Sequence, residues 1–340
     1  GICGCGVVDL QPVVTVPPNV NTSACREVET ITVGQATAFN ACGLPQTETG
    51  RVVMTNGIAL STPIPVVSGQ VQVGVGTHTI EWRAPPGSGV PLAYQTLTVG
   101  SIVQASLSFL LDDNAQLRDS RGGLSVMLNS GTGLTQVGND SRAGGILSVG
   151  NVNVLHRAII QGNITSAVGY SVASDATVSG GVQVAPVTLP SLPTLPAFPS
   201  PSGPNIVLNT GETRTLSAGS YPSVTVTSGA TLTLLAGDYF FQAFTLNSGG
   251  VVRVTPTTRV FVRTTLVFQG PFRTPSGSVQ SIFLGFAGAT LSMEATFNGT
   301  LVAPSAAVTF GVGSGLTFTG AFYARTLEVR PGSALVCLRN

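Results

Sequence analysis

A chain of 340 residues, with 42 Gly, 22 Pro, 15 basic residues that are all Arg and 14 acidic ones, can form one large or two to three ordinary domains. It contains no Lys, which excludes P-loops, Schiff bases and lysine general bases. No basic run is present to meet nucleic-acid phosphates, and no 18-residue apolar stretch to span a membrane.

With a net charge of +1, little long-range repulsion opposes association. Two readings of the sparse charge follow. One is a secreted protein with a neutral Ser/Thr/Asn surface; the other is a surface covered by copies of itself. No stretch of 12 or more residues has a clean 3.6-residue apolar period, while Val and Thr abound, so the fold class is all-β. The opening at Gly1, with neither initiator Met nor signal peptide, fits a processed, secreted form.

The cysteines are Cys3, Cys5, Cys25, Cys42 and Cys337, spacing better suited to disulfides in an oxidising compartment than to a metal. Because five is odd, one is free or paired between chains. Cys337 with Cys3 or Cys5 of a neighbour is one candidate bridge; the other reading is a Cys337 bridge within the chain, leaving one N-terminal thiol free. No cofactor is indicated.

Residues 1–100 alternate apolar and polar positions in "VVTVPPNV", "ETITVGQATAFNACG", "VQVGVGTHTIEWRA" and "AYQTLTVG", which predicts a small β-sandwich behind the Cys-rich N-terminus. "VTVPPNV" (14–20), Cys25 with "GQATAFNACG" (34–43), and "VGTHTIEWRA" (75–84) leading into "QTLTVG" (95–100) resemble the hyalin-repeat family of immunoglobulin-like extracellular modules. The resemblance implies a Cys25–Cys42 bridge and an adhesive or spacer role without catalysis. After Ala84, "PPGSGVPLAY" replaces the family's Asp-rich turn.

The next segment, 101–185, opens with a dense oxygen-ligand cluster, Asp112, Asp113, Asn114 and Asp119. These are calcium-type ligands, but the turn Gly and closing Glu of a calcium loop do not follow. The cluster therefore reads as a polar turn or domain junction, with Asp112, Asp113 and Asp119 as weak calcium candidates.

From 134 the chain repeats itself. "VNVLHRAIIQGNITSA" (152–167) superposes on "YSVASDATVSGGVQVA" (170–185) at an offset of eighteen. "VTVTSGATLTLLAGDYFFQ" (224–242) lies over "FTLNSGGVVRVTPTTRVFV" (244–262) at twenty, and "FNGTLVAPSAAV" (297–308) over "FTGAFYARTLEV" (318–329) at twenty-one, matching Gly299/Gly320, Ala303/Ala324 and Val308/Val329. Such periods predict a right-handed β-solenoid (β-helix), about nine coils in 134–185 plus 205–340. Phe297, Leu301 and Val308 are expected inside, with small residues such as Gly299 at crowded corners. The two solenoid parts, 101–185 and 205–340, flank a Pro-rich segment, 186–204, where Pro190, Pro193, Pro196 and Pro199 recur at the polyproline II period. Its Leu192, Leu195 and Phe198 suggest that one side packs on the solenoid.

"AGDYFFQAFTLNSGGVVRV…RVFVRTTLVF" and "ATFNGTLVAPSAAVTF…LTFTGAFYARTLEV" are similar to the bacterial and fungal ice-binding β-solenoids. The resemblance implies a three-faced β-helix, but that family's long bracing helix has no counterpart here. An ice-binding face would draw on Thr225, Thr227, Thr231, Thr233 and Thr245. Two distant histidines, His78 and His156, and scattered carboxylates such as Asp238, Glu294 and Glu328 form no catalytic motif, so the chain reads as a non-enzyme. Arg253, Arg259, Arg263 and Arg273 are candidates for one stripe along the rod.

The resulting expectation is an extracellular structural protein that self-assembles head-to-tail into a filament or surface layer. Its last coil would be covered by the N-terminal domain of a neighbour. The alternatives are a monomeric cell-surface adhesin or a module that binds extracellular glycans, and an ice-binding protein.

Overall fold

Strands are the only regular elements among the described residues of the computed structural model, as the Val- and Thr-rich alternation predicts. The structure describes residues 10–26, 28–86, 88–255, 257–274, 276, 281–311 and 315–338. It divides into two compact units, Gly1–Ser101 and Ile102–Asn340.

In the first unit five strands form one sheet, in the order Val20–Ala24, Ala93–Ser101, Gly76–Arg83, Thr49–Thr55 and Ile58–Pro65. A ladder of Glu29–Thr32 with Gln70–Val73 contributes Ile31, Val71 and Val73 to a core shared with Val52, Ile80, Trp82, Leu97 and Val99. A third sheet joins Val13–Thr15, Thr37–Phe39 and Pro45–Gln46. The buried Gln95 is fully engaged. Its Oε1 accepts from Trp82 Nε1 at 3.2 Å, and its Nε2 donates to the Pro18 and Val33 carbonyls at 2.8 and 2.9 Å. A buried amide left unpaired would cost about 1–3 kcal/mol, so these bonds pin the core.

The second unit is a β-solenoid of about 11 turns. We number its coils along the chain: coil 1 is 103–119, coil 2 is 127–143, coil 3 is 146–160 and coil 4 is 164–184. After the Pro-rich segment come coil 5 (206–216), coil 6 (219–234), coil 7 (237–254), coil 8 (258–273), coil 9 (281–293), coil 10 (297–310) and coil 11 (317–337). The ladders between coils are parallel and carry the sequence offsets. Val152 pairs with Tyr170 and Val154 with Val172 at eighteen, Val226 with Leu246 and Leu232 with Val252 at twenty, and Phe297 with Phe318 and Gly299 with Gly320 at twenty-one.

The order in space differs from the order in sequence. Coil 1 pairs on one side with coil 2, through Val103–Leu111 against Met127–Asn129 and Thr135–Val137. On its other side the same strand pairs with Thr317–Val329 of coil 11. The stack therefore runs coil 4, 3, 2, 1, 11, 10, 9, 8, 7, 6, 5. The solenoid begins in mid-stack, winds out to one end, crosses to the other and winds back to the middle. Two expectations change. The repeat starts at coil 1 rather than at 134, because the long strand of coil 1 disguises the period of its shorter neighbours. The last coil is interior, flanked by coil 10 and coil 1, so it offers no open edge to the N-terminal domain of a neighbour.

Residues 186–204 span this crossing. The Pro190 carbonyl accepts from Gln104 Nε2 of coil 1, Phe198 meets Phe240 of coil 7 edge-on at 5.9 Å, and the Pro199 carbonyl accepts from Ser220 Oγ of coil 6 at 3.2 Å. Leu189, Leu192, Leu195 and Phe198 are partly buried at every third residue, as polyproline II geometry requires. Gly285 leaves room for the strap: a Cβ there would lie 2.8 Å from Leu195 Cδ2. Ten steps of about 4.8 Å make a stack of about 48 Å, and 19 residues at about 3.1 Å reach about 59 Å, so the strap is long enough.

Phe297, Leu301 and Val308 are buried as expected. Val308, however, pairs with Leu327, and Val329 pairs with Phe310. The register shifts between Ala303 and Ala307, where 304–306 face only Arg325, so the Val308/Val329 match is not a pairing. Gly299 and Gly320 are held at φ +137° and +140° with no space for a side chain: a Cβ would lie 1.9 Å from the Ile282 carbonyl oxygen and 1.7 Å from that of Gly299.

Gly320→Ala is therefore expected to lose at least about 3 kcal/mol or fail to fold. Gly181→Ala, whose Cβ would have its nearest neighbour at 3.6 Å, is expected to stay within about 0.5 kcal/mol. Urea denaturation of the two variants checks this.

Candidate functional site

Cys25, Cys42 and Cys337 are each disulfide-bonded, and Cys25 is joined to Cys337. A sulfur makes one disulfide, so the Cys25–Cys42 bridge implied by the hyalin-repeat resemblance does not form. For the same reason Cys337 is engaged within its own chain and is not available for a bridge to a neighbour. The Cys3 and Cys5 candidates lie outside the described residues.

The three aspartates proposed for calcium point to different partners. Asp119 is buried in the turn after its strand, where its Oδ1 accepts from the backbone N–H of Arg121 and Gly123 at 2.9 and 2.8 Å. Asp113 starts a polar ladder along one corner. It accepts from Asn139 N at 2.7 Å, Asn139 Oδ1 accepts from His156 N at 3.1 Å, and His156 Nδ1 lies 2.9 Å from Asp175 Oδ1. Beside it Arg157 forks onto Asp140 at 2.8 and 2.7 Å. Among the described residues no group of three or more His, Cys, Asp or Glu side chains could hold a metal ion.

Asp112 belongs to a cluster that sequence reading missed. Glu328 is paired in register with Leu110, two residues before Asp112, where coil 1 meets coil 11. Arg330 lies 3.3 Å from Glu328 and 3.8 Å from Asp112. Thr309 Oγ1 donates to Glu328 at 3.1 Å. Burial first, and then the Glu328 carboxylate, pushes the Asp112 carboxyl above the usual carboxylate range. Glu294 is two coils from Glu328 in the stack and accepts from Gln269 Nε2 at 2.9 Å, so these two glutamates form no acid–base pair.

The other candidate surfaces divide. Arg253 and Arg273 are neighbours in register, Arg259 forks onto Asp238, and exposed Arg263 sits at a register shift. They form no single stripe. Thr225 pairs with Thr245 in one sheet, whereas Thr231 and Thr233 lie in another, and the Thr227 hydroxyl donates to the Leu208 carbonyl at 2.7 Å.

The least satisfied surface is the free end of coil 4. Its strands Tyr170–Val172 and Thr177–Val178 pair with coil 3, and Val182–Val184 with Ile164–Ser166 at the start of coil 4 itself, each on one side only. Beneath them Val152, Val154, Ile160, Ile164 and Ser166 are buried, but Tyr170 over Val152 and Val184 over Ser166 are 47% and 57% exposed. No pattern in the sequence marks 170–185 as terminal, because its repeat matches its neighbour so well.

The bridge has a direct test. With a protease site inserted at 200–202, the cut chain is expected to run as one species on a denaturing gel without reductant and as two with it. Cys337→Ser is expected to separate without reductant, and two unreduced species from the parent would exclude the bridge. A second expectation concerns Asp112. It binds a proton more tightly folded than unfolded, so its ionisation costs stability as pH rises through its folded value. Asp112→Asn is expected to raise Tm at pH 7, with the gap closing as pH falls below the ordinary value near 3.8. Thermal denaturation across pH checks the sign.

No family model, curated protein or solved structure matches this chain, so neither resemblance gains support from relatives.

Proposed function

We propose that this chain is a secreted structural protein that associates with copies of itself through the open end of its solenoid. The first unit, in an immunoglobulin-like arrangement, would serve as spacer or adhesive module. One observation carries the reading: coil 4 ends the stack with three strands paired on one side only and with Tyr170 and Val184 exposed at the ends of buried columns. Unpaired strand edges are templates for further pairing, and natural solenoids normally cover them with a polar cap. The charge supports it too. A net charge of +1 sets up little repulsion between copies, and Asp175 is the sole charged residue in 170–184. Assembly into a filament or surface layer would need further contacts beside this one.

The test is sedimentation of the full chain from about 1 µM to 1 mM, with negative-stain imaging of the most concentrated sample. Rods joined at their ends, and a mass that rises with concentration, are expected. A single mass of 34.5 kDa throughout would replace this reading with that of a monomeric adhesin.

A further inference from the structure

We infer that two copies join end to end about a two-fold axis, coil 4 on coil 4, rather than head to tail. This rests on the self-association reading above and fixes its geometry.

The two ends of the stack are not complementary. At the coil 5 end Ile206, Leu208 and Leu216 are already buried. Arg214 stands in register with Leu232 of coil 6 and Val252 of coil 7, both fully buried, but is itself exposed. A guanidinium thus terminates that apolar column. Seating Tyr170, Val172 and Val178 on it would strip water from a charge, and the one carboxylate of coil 4, Asp175, sits at a corner already engaged with His156. Head-to-tail growth is therefore blocked at one of its two surfaces.

The coil 4 end, by contrast, fits itself. In the inward register, the terminal strands of coil 4 place Tyr170, Val172, Val178, Val182 and Val184 over Val152, Val154, Ile160, Ile164 and Ser166. Each residue so placed is apolar or aromatic. Its one charge, Asp175, sits at a corner against His156. A second copy of this coil presents three strand edges at the same spacing, which an isolated strand or helix from another partner cannot do.

Turning one rod end over end reverses the sense in which its chain circulates. One edge then meets its own counterpart and the other two exchange, each pairing antiparallel, the more favourable arrangement, and the contact is isologous and closes. The product is one rod of about 100 Å with a coil 5 end at either tip. The contact buries roughly 400 Å² per copy, below the size of standard stable interfaces, so pairing is expected above about 100 µM.

Sedimentation of the full chain is compared for the parent, Val184→Lys and Val207→Lys. Val184 and Val207 are 57% and 56% exposed at opposite ends, so both changes leave the core intact. The two-fold arrangement predicts that Val184→Lys abolishes pairing and that Val207→Lys does not. Nitroxide labels on Thr177→Cys and, separately, Thr213→Cys then read the geometry, with the unsubstituted chain giving the background. Label pairs are expected within about 30 Å at 177 and none within range at 213, because the two coil 5 ends lie about 100 Å apart.

Equal distances of about one rod length, ~50 Å, at both positions would overturn the two-fold geometry while leaving self-association standing. Pairing that survives Val184→Lys would overturn the coil 4 contact. A parent that stays monomeric at 1 mM would overturn self-association itself.

Discussion

Everything in the second unit follows from one interaction, the parallel backbone ladder between stacked turns. A turn of some eighteen to twenty residues cannot bury its own Val, Leu and Phe side chains, so each depends on the turn above and below. The ladder fixes identical spacing along the stack and demands that equivalent positions carry compatible volumes. It always leaves two edges. This chain keeps its beginning and its last coil away from both, by pairing Val103–Leu111 with Thr317–Val329 in the interior.

That junction joins residues more than two hundred positions apart, and it forms only after the strap has carried the chain past every intervening turn. Loop closure on this scale gains nothing until both halves exist, so the junction is a late event in folding by the contact-order argument. It also gathers chemistry no local pattern contains. Asp112, Glu328 and Arg330 meet there because coil 1 and coil 11 are neighbours in space.

What was legible in the sequence was what depends on neighbouring turns. The offset of eighteen places Val154 on Val172, and the offset of twenty places Leu232 on Val252, because successive turns share one length and one column. Gly299 over Gly320 was legible for a harder reason: each closely approaches the carbonyl of the turn beneath, so a side chain at either would collide with backbone. What depends on sequence-distant partners was not legible. The Val308/Val329 match failed because three residues of one turn bulge against one of the next, which side-chain character alone does not reveal. The Cys25–Cys337 bridge was hidden likewise, since cysteine spacing carries no information about pairing across so long a chain. The period of three in 186–204 showed a packed side but not what it packed on.

The strap ties the two halves to a common length. A turn inserted into either half lengthens the stack by about 4.8 Å, which a polyproline II segment covers with about 1.5 residues. The central junction, and the register of Leu195 over Gly285, would survive only if the strap grew on the same side of that contact as the new turn. Rod length in descendants of this architecture is therefore free to drift in steps of one turn, provided that prolines and turns are gained together. A lineage that gained turns alone would unseat Leu195 or Phe198 first, well before it disturbed the junction.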